Sequence, residues 1–349
     1  MSVKEDSEKS LPTIKDVAEA ANVSLKTVSR VINKNEKVRA ETRDRVLLAA
    51  KALGYQPNAI ARSLRSKKTY TIGVLIADIT NGFFSAMVRG IEEVAVARDY
   101  SVIIADTNEM LKKERRYSRI FAEKQVEGLI VVPALGSQKY LENLAKRFPI
   151  VFLDRCGEGI NTSVVKVENE RGAYELTKHL LEHGYREVAY VGDSESLSTA
   201  QGRFAGFARA LKESGVHLSP AFIKAGNRTV QDAYSAAQEL LRCLPRPQAV
   251  FAGNNLMVQG TLRALSRAGL EVPRDLALVG FDDFEMADTL RPRLTVVSQP
   301  VYEMGRQAAN ILFGQMENAS RERQEVVFPV ELIIRESCGC LGRSLNVHP

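Results

Sequence analysis

From residue 71 onward the chain alternates short, continuously apolar runs with longer amphipathic stretches, and this alternation is its most constraining feature. Unbroken runs of Val, Ile and Leu are typical of strands that are buried on both faces of a parallel sheet. The predicted strands are 71–77, 101–105, 128–133, 150–154, 188–192, 249–253 and 276–281. Crossover helices are predicted near 85–98, 200–214, 231–243 and 256–268. Because the strands form two sets, the sequence predicts an α/β body of two doubly wound parallel-sheet lobes.

A polar residue follows most of the predicted strands. These residues are Asp78, Asp106, Asp154, Asp193, Asn254 and Asp282. Ligands of open parallel sheets bind at the carboxyl ends of the strands, so the set predicts a polar crevice. Taken singly, each residue is equally consistent with a helix cap.

The positive charge of the chain is concentrated near its N-terminus. Residues 1–68 hold 15 Lys and Arg against 8 Asp and Glu, whereas the rest of the chain holds 33 against 34. A basic terminal segment on a neutral body is the electrostatic pattern of a nucleic-acid-binding head. A solvated basic tail would have the same charge, but this segment is also patterned like folded helices.

Residues 13–54 have the pattern of a helix-turn-helix. Thr13 begins a first helix as its cap, and Ser24 follows a short polar turn and caps a second helix. The second helix has an apolar side of Val28, Val31 and Ile32, and an opposite polar stripe of Lys26, Ser29, Arg30 and Asn33. A helix with such a donor-rich face has the size and chemistry to enter the major groove of DNA.

A third helix is predicted over 40–53, ending at Gly54. Its expected core positions are Val46, Ala49 or Ala50, and Leu53. The following stretch, 55–68, is a linker with helical potential that is too short to be stable alone.

Three ordered segments of this region are Thr13-Ile14-Lys15-Asp16-Val17-Ala18, Val23-Ser24-x-x-Thr27-Val28-Ser29-Arg30-Val31-Ile32-Asn33 and Gly54-Tyr55-x-Pro57-Asn58-x-x-Ala61-x-x-Leu64. Together they resemble the DNA-binding head of the lactose-repressor/galactose-repressor (LacI/GalR) family. The resemblance implies a transcriptional regulator, most simply a repressor, which acts as a homodimer on near-palindromic double-stranded operator DNA. It also implies a body of the periplasmic-binding-protein type that binds a sugar-like effector between its lobes.

The resemblance assigns DNA-binding residues to the head and the linker. They are Thr13, Lys15, Leu25, Lys26, Ser29, Arg30, Asn33, Asn58, Ala61 and Leu64. The residue chemistry agrees with this assignment for Arg30, whose guanidinium can donate two hydrogen bonds to a guanine edge. Lys26 can bind either a base or a phosphate. Leu25 is nearly as consistent with packing inside the head. Leu64 is a minor-groove wedge by resemblance, and otherwise one apolar residue on a linker helix.

The predicted domains are a head over 13–57, a hinge over 58–69 and a body over 70–337. Within the body, the N-terminal lobe comprises about 70–167 and 301–337, and the C-terminal lobe about 168–298. The return of the chain to the first lobe at 294–299 is implied by the resemblance alone.

The resemblance also assigns the effector-binding residues, which are Asp78, Phe83, Phe84, Asp154, Arg203, Arg228, Asn254 and Asp282. Carboxylates and an amide suit sugar hydroxyls, and either phenylalanine suits a sugar ring face. At Arg228 family members often carry an aromatic ring. With Arg155 and Arg203, this arginine suggests a sugar acid or sugar phosphate as effector, and the equally weighted alternative is that Arg228 points into solvent.

Catalytic and cofactor motifs are not found in the sequence. There is no GxxxxGK[ST] loop, placed GxGxxG, GxSxG or HExxH, so we predict neither an enzyme nor a cofactor. His179 and His183, at i and i+4, have the geometry to hold a metal, but a solvated helix face is the better interpretation. Cys338-Gly339-Cys340 is consistent with a metal or redox pair, but reduced thiols are the better interpretation, so no metal site is predicted. The polar N-terminus and the lack of a bilayer-length apolar run predict a cytoplasmic protein. The alternatives are a solute-binding protein or a sugar-processing enzyme fused to a DNA-binding head.

Overall fold

The computed structural model describes residues 12–32, 38–55, 68–317 and 322–340. The chain divides into two compact units, Met1–Thr69 and Tyr70–Pro349. None of the helices within the described ranges is long and apolar enough to cross a membrane. The predicted hinge lies outside the described residues as far as position 67.

The head contains three helices, α1 (Ile14–Ala20), α2 (Leu25–Ile32) and α3 (Ala40–Leu53). The predicted cap of α1 is confirmed, since Thr13 and Asp16 form a reciprocal capping box. Ser24 caps the next helix by accepting a hydrogen bond from the Thr27 backbone N–H at 3.1 Å. Gly54 ends α3 in the left-handed conformation, with φ of 66°.

Small aliphatic side chains form the head core. The buried ones are Val17, Ala18, Ala21, Val28, Val31, Val46 and Ala50. The prediction of Leu53 as a core residue is wrong, because its side chain is exposed at the last turn of α3. The left-handed Gly54 turns the chain back, so that Tyr55 packs against the core in its place.

The first lobe of the body is a six-stranded sheet. Its strands are β1 (Thr71–Ile76), β2 (Ser101–Asp106), β3 (Leu129–Val131), β4 (Ile150–Asp154), β5 (Ser163–Val167) and β11 (Glu325–Phe328). The spatial order is β11-β5-β4-β3-β1-β2, and all neighbours are parallel. The helices are α4 (Gly82–Val96), α5 (Leu111–Glu123), the short α6 (Glu142–Ala145) and α11 (Val301–Glu317).

The second lobe repeats this plan. Its strands are β6 (Val188–Val191), β7 (Ile223–Lys224), β8 (Ala249–Ala252), β9 (Ala277–Phe281), β10 (Thr295–Ser298) and β12 (Glu331–Ile333), in the order β12-β10-β9-β8-β6-β7. Its helices are α7 (Asn169–Glu182), α8 (Ser198–Glu213), α9 (Val230–Leu241) and α10 (Asn255–Arg267). Two doubly wound lobes are therefore confirmed, and in each lobe the strand order reverses beside the first strand.

The predicted lobe boundary near the C-terminus is wrong. Of the range 301–337, which is predicted to lie in the first lobe, α11 and β11 do lie there, but β12 pairs antiparallel with β10 of the second lobe. This pairing covers an otherwise open sheet edge with backbone hydrogen bonds. The segment is held further by Arg335, whose guanidinium donates to both carboxylate oxygens of Asp283 at 2.9 and 3.0 Å. The chain therefore crosses between the lobes after β5, after β10 and after β11.

Candidate functional site

The carboxyl ends of strands from both lobes face a common cleft. At its base lies a cavity of about 110 Å³. The predicted effector residues Asp78, Phe83, Phe84, Asp154, Arg203, Arg228, Asn254 and Asp282 all line it. A wider opening of about 860 Å³ continues outward past Asp78, Phe83 and Arg228.

In the first lobe the floor of the cleft is a buried carboxylate–guanidinium group. Asp154 ends β4, and Arg155 follows it with its Nε donating to the Pro133 carbonyl at 2.8 Å. Arg155 Nη2 donates to Glu109 Oε1 at 2.6 Å, whereas its Nε lies 3.9 Å from Asp154 Oδ2. Arg155 is thus held firmly by Glu109 and more loosely by Asp154.

The second lobe contributes a matching group around Arg203, which α8 carries. Arg203 Nε donates to Asn169 Oδ1, and its Nη1 donates to the Gly253 carbonyl, both at 2.8 Å. Its guanidinium carbon lies 3.9 Å from the centre of the Phe281 ring, and Nη2 lies 3.6 Å from Asp282 Oδ1. The ring and the two carbonyl-type acceptors fix the plane of the guanidinium and direct one edge toward Asp282.

The remaining predicted polar residues of the cleft have defined partners. Asn254 caps α10 by accepting from the Met257 N–H at 2.9 Å, and its amide donates to Asp193 Oδ2 at 3.0 Å. Asp78 accepts hydrogen bonds from the Thr80 N–H and hydroxyl at 2.8 and 2.6 Å. Asn254 is therefore both a helix cap and a lining residue.

The two predicted phenylalanines stand at the start of α4, edge to face, with their ring centres 5.1 Å apart. Phe84 is buried in the core of the lobe, whereas Phe83 is only half-buried. Phe83 is accordingly the better placed of the two to lie against a ligand.

Two contacts join the lobes across the cleft. Asn255 donates to Asn81 Oδ1 at 2.8 Å, and Asn81 donates back to Asn255 Oδ1 at 3.4 Å. The exposed Arg228 reaches the other lobe, where its Nη2 donates to the Glu109 carbonyl at 3.2 Å. The alternative in which Arg228 only points into solvent is therefore wrong, since its side chain binds the opposite wall.

Burial shapes the acidity of the cleft. It raises the pKa of Asp154 to about 6, although the nearby Arg155 and Arg203 oppose the shift. Burial also raises the pKa of the Asp193 carboxyl, although the hydrogen bond that this carboxyl accepts from the Ser194 N–H opposes the shift. With a pKa of about 6, Asp154 changes charge close to neutral pH.

The lining residues that sequence reasoning missed include three that make polar contacts in the cleft, Asn81, Glu109 and Asn255. Asn81 and Asn255 both stand at or beside a helix cap, and Glu109 follows the loop after β2. A pairing between residues 174 positions apart leaves no local pattern in a sequence. Only Asn255, beside the predicted Asn254, was adjacent to a recognised position.

The predicted DNA-reading face lies on α2. Val28 and Val31 are buried, while Leu25, Lys26 and Arg30 are exposed and Ser29 is half-buried. The exposure of Leu25, at 45%, argues against the alternative that it packs inside the head. Thr13 and Lys15 stand at the start of α1. The predicted contacts Asn33, Asn58, Ala61 and Leu64 lie outside the described residues.

The comparisons with known proteins cover both parts of the chain. A model of the bacterial regulatory proteins of the lacI family matches residues 13–58, and a model of a periplasmic binding protein-like domain matches residues 177–338. A helix-turn-helix head with such a body defines a class of DNA-binding transcriptional regulators. The HTH-type transcriptional repressor PurR of Photobacterium profundum is 35% identical over 329 residues, which make up 94% of this chain and 98% of that protein.

Two solved structures extend the similarity to the fold. The Lac repressor dimer bound to operator and the anti-inducer ONPF has a TM-score of 0.84 at 26% identity, over 94% of this chain and 99% of that chain. The complex of the transcriptional regulator CelR with cellobiose has a TM-score of 0.70 at 29% identity, over 93% of this chain and 99% of that chain. The chain belongs to the LacI family of bacterial regulatory proteins, and it is a DNA-binding transcriptional repressor of that family.

Proposed function

We propose that this repressor binds a neutral sugar in the cleft, and that the sugar controls its affinity for operator DNA. The proposal is carried by the paired Asp154–Arg155 and Arg203–Asp282 groups, which face one cavity from opposite lobes. Alternating carboxylate acceptors and guanidinium donors suit vicinal hydroxyls, each of which both donates and accepts. Phe83 supplies an apolar surface for the ring. The similar CelR structure holds cellobiose, a neutral sugar.

The charge of the cavity disfavours the sugar acid or sugar phosphate that its arginines suggest in the sequence. Five carboxyl groups line it against three arginines: Asp78, Glu109, Asp154, Asp193 and Asp282 against Arg155, Arg203 and Arg228. Arg155 is already neutralised by Glu109, and Arg228 donates across the cleft to a backbone carbonyl. An anionic ligand would therefore enter a lining with an excess of negative charge.

We further infer that the chain acts as a homodimer on a near-palindromic operator. The Lac repressor, to which it is similar over 94% of its length, is a dimer on its operator. Two heads related by a two-fold axis would each place the exposed face of α2 in a major groove, one half-site apart.

Calorimetric titration of neutral sugars and of their acid and phosphate counterparts tests this function. A neutral sugar is expected to bind and to shift occupancy of a DNA fragment from the protein's own upstream region. Asp282→Asn should weaken that sugar about ten- to a hundredfold, because one charged hydrogen-bond partner is lost. The matched control Asp288→Asn changes an exposed carboxylate of the same lobe and should leave binding unchanged. Tighter binding of the anionic series, or equal effects of both variants, would contradict the proposal.

A further inference from the structure

Four potential metal ligands meet at the outer side of the second lobe, away from the effector cleft. Helix α7 carries His179, and His183 caps its C-terminal end one turn later, whereas Cys338 and Cys340 come from the segment after β12. His179 and Cys338 are 159 positions apart in the chain. The prediction that His179 and His183 form only a solvated helix face is therefore wrong, whereas the two thiols are free, as predicted: the fold brings the two pairs into direct contact.

The distances within this cluster are short and regular. His179 Nε2 lies 3.2 Å from Cys338 Sγ, and His183 Nε2 lies 3.0 Å from Cys340 Sγ. Cys340 Sγ is also 3.8 Å from His179 Nε2, and all four ligand atoms lie within 4.8 Å of one another. Tetrahedral zinc with bonds of about 2.0–2.3 Å requires ligand atoms roughly 3.3–3.8 Å apart. The side chains need to move by only a fraction of an ångström to surround such an ion.

The backbone around the cysteines is built to present both thiols to α7. Gly339, between them, has φ of 98°, a conformation that favours glycine. The Tyr185 hydroxyl donates to the Cys338 carbonyl at 3.1 Å, and it lies 2.9 Å from where a Cβ at Gly339 would stand. A side chain at this position would collide with the tyrosine, so the Cys-Gly-Cys sequence suits this turn.

Further contacts orient the ligands. The Thr295 hydroxyl donates to Cys338 Sγ at 3.2 Å, and Ser337 Oγ accepts from the Thr295 N–H at 2.8 Å. Such outer hydrogen bonds to ligating atoms are a feature of metal sites. Cys338 is buried, whereas His183 is exposed. The cluster therefore has a fixed inner side and an outer side through which an ion can enter.

We propose that His179, His183, Cys338 and Cys340 form a tetrahedral zinc site that fastens the C-terminal segment to α7. Two sulfur and two imidazole ligands in a closed tetrahedral set are the chemistry of structural zinc. Zn²⁺ takes the place of the two thiol protons, which pass to the solvent, and the two thiolates balance the charge of the ion. The proposal is independent of the effector and of the operator.

The test uses the full chain, purified without an affinity tag and fully reduced. Elemental analysis should find one zinc per chain, and Co²⁺ added to the metal-free protein should give the absorption of tetrahedral cobalt with thiolate charge transfer. Zinc should raise the melting temperature, since an ion that binds only the folded state stabilises it. Cys340→Ser and His183→Gln, at the solvent side of the cluster, should each weaken zinc binding by at least about a hundredfold.

Cys243→Ser and His217→Gln are the matched controls, because both residues lie in the second lobe outside the cluster. They should bind cobalt and zinc like the unmodified chain. The proposal is overturned if the reduced protein takes up no stoichiometric metal, or if the ligand variants bind as tightly as the controls.

Discussion

Asp154 and Asp282 occupy equivalent positions in the two lobes. Asp154 is the last residue of β4 and Asp282 directly follows β9, and each adopts a left-handed backbone, with φ of 73° and 74°. Such a conformation is uncommon for a residue with a side chain, and Asp and Asn tolerate it best. Both carboxylates face the cleft beside an arginine. The strand-ending positions were predictable from the apolar runs before them, but the left-handed backbone and the Arg203–Phe281 stacking depend on tertiary contacts.

Asp154→Asn is expected to stabilise the ligand-free protein at neutral pH while it weakens effector binding. The folded-state pKa of about 6 lies above the ordinary value of 3.8, so the folded chain holds the proton more tightly than the unfolded chain. The contribution of Asp154 to the free energy of unfolding is thus fully present below about pH 4, and it is lost as the pH rises through about 6. The advantage of the variant should grow over that interval to on the order of 2–3 kcal/mol.

Urea unfolding of the variant and the unmodified chain at pH 4.5 and pH 7.5 measures this change, because other titrating groups cancel in the difference. Asp288→Asn is again the exposed control. A difference that does not depend on pH would show that Asp154 has an ordinary pKa.

At the scale of elements, the most accurate predictions came from patterns that involve only neighbouring residues. The capping box of α1, the turn at Ser24 and the two-sided pattern of α2 depend on residues within a few positions of one another, and all are present in the structure. Seven strands were equally readable from their apolar runs, whereas β5, β10 and β11 were missed. The edge strands β7 and β12 were also missed, because they are two and three residues long, and pairing alone defines them. The assignment of 331–333 to the wrong lobe has the same cause.

On α2, Arg30→Lys is expected to reduce discrimination between operator sequences by about 1–3 kcal/mol and to leave non-specific binding nearly unchanged. Lysine keeps the charge but loses the planar fork that matches a guanine edge. Competition binding between operator and mutated operator fragments at fixed salt measures the change. Arg45→Lys, on the exposed surface of α3, is the control. An unaltered specificity ratio in Arg30→Lys would exclude a base contact by this residue.

For the whole molecule, the division at Thr69 and Tyr70 places the helix-turn-helix and the residues that line the cleft in separate units. The basic charge of residues 1–68 and the parallel-sheet pattern after residue 70 made this division predictable. The meeting of the lobes was not, since the Asn81–Asn255 pair joins positions that are far apart in the chain.

A chain that begins at Tyr70 should keep its effector affinity within about twofold and lose operator binding entirely. Each cavity-lining residue lies in the second unit, and its own core can fold alone. Calorimetry with the effector and a DNA mobility assay, run on both chains, provide the measurement. Loss of effector binding in the shortened chain would mean that the head is needed to build the cleft.

The three passages of the chain between the lobes are short: one residue separates β5 from α7, and two residues each separate β10 from α11 and β11 from β12. Three brief connections side by side leave the lobes little freedom to slide or twist, so their relative motion is confined to bending about a single axis. Two residues that line the cleft contact these connections directly. Arg203 donates to Asn169, at the end of the first passage, and Asp282 accepts from Gln299, within the second, at 2.5 Å. If the proposed ligand contacts Arg203 and Asp282, it acts beside these connections, where a small displacement of a side chain would become a large displacement at the far ends of the lobes.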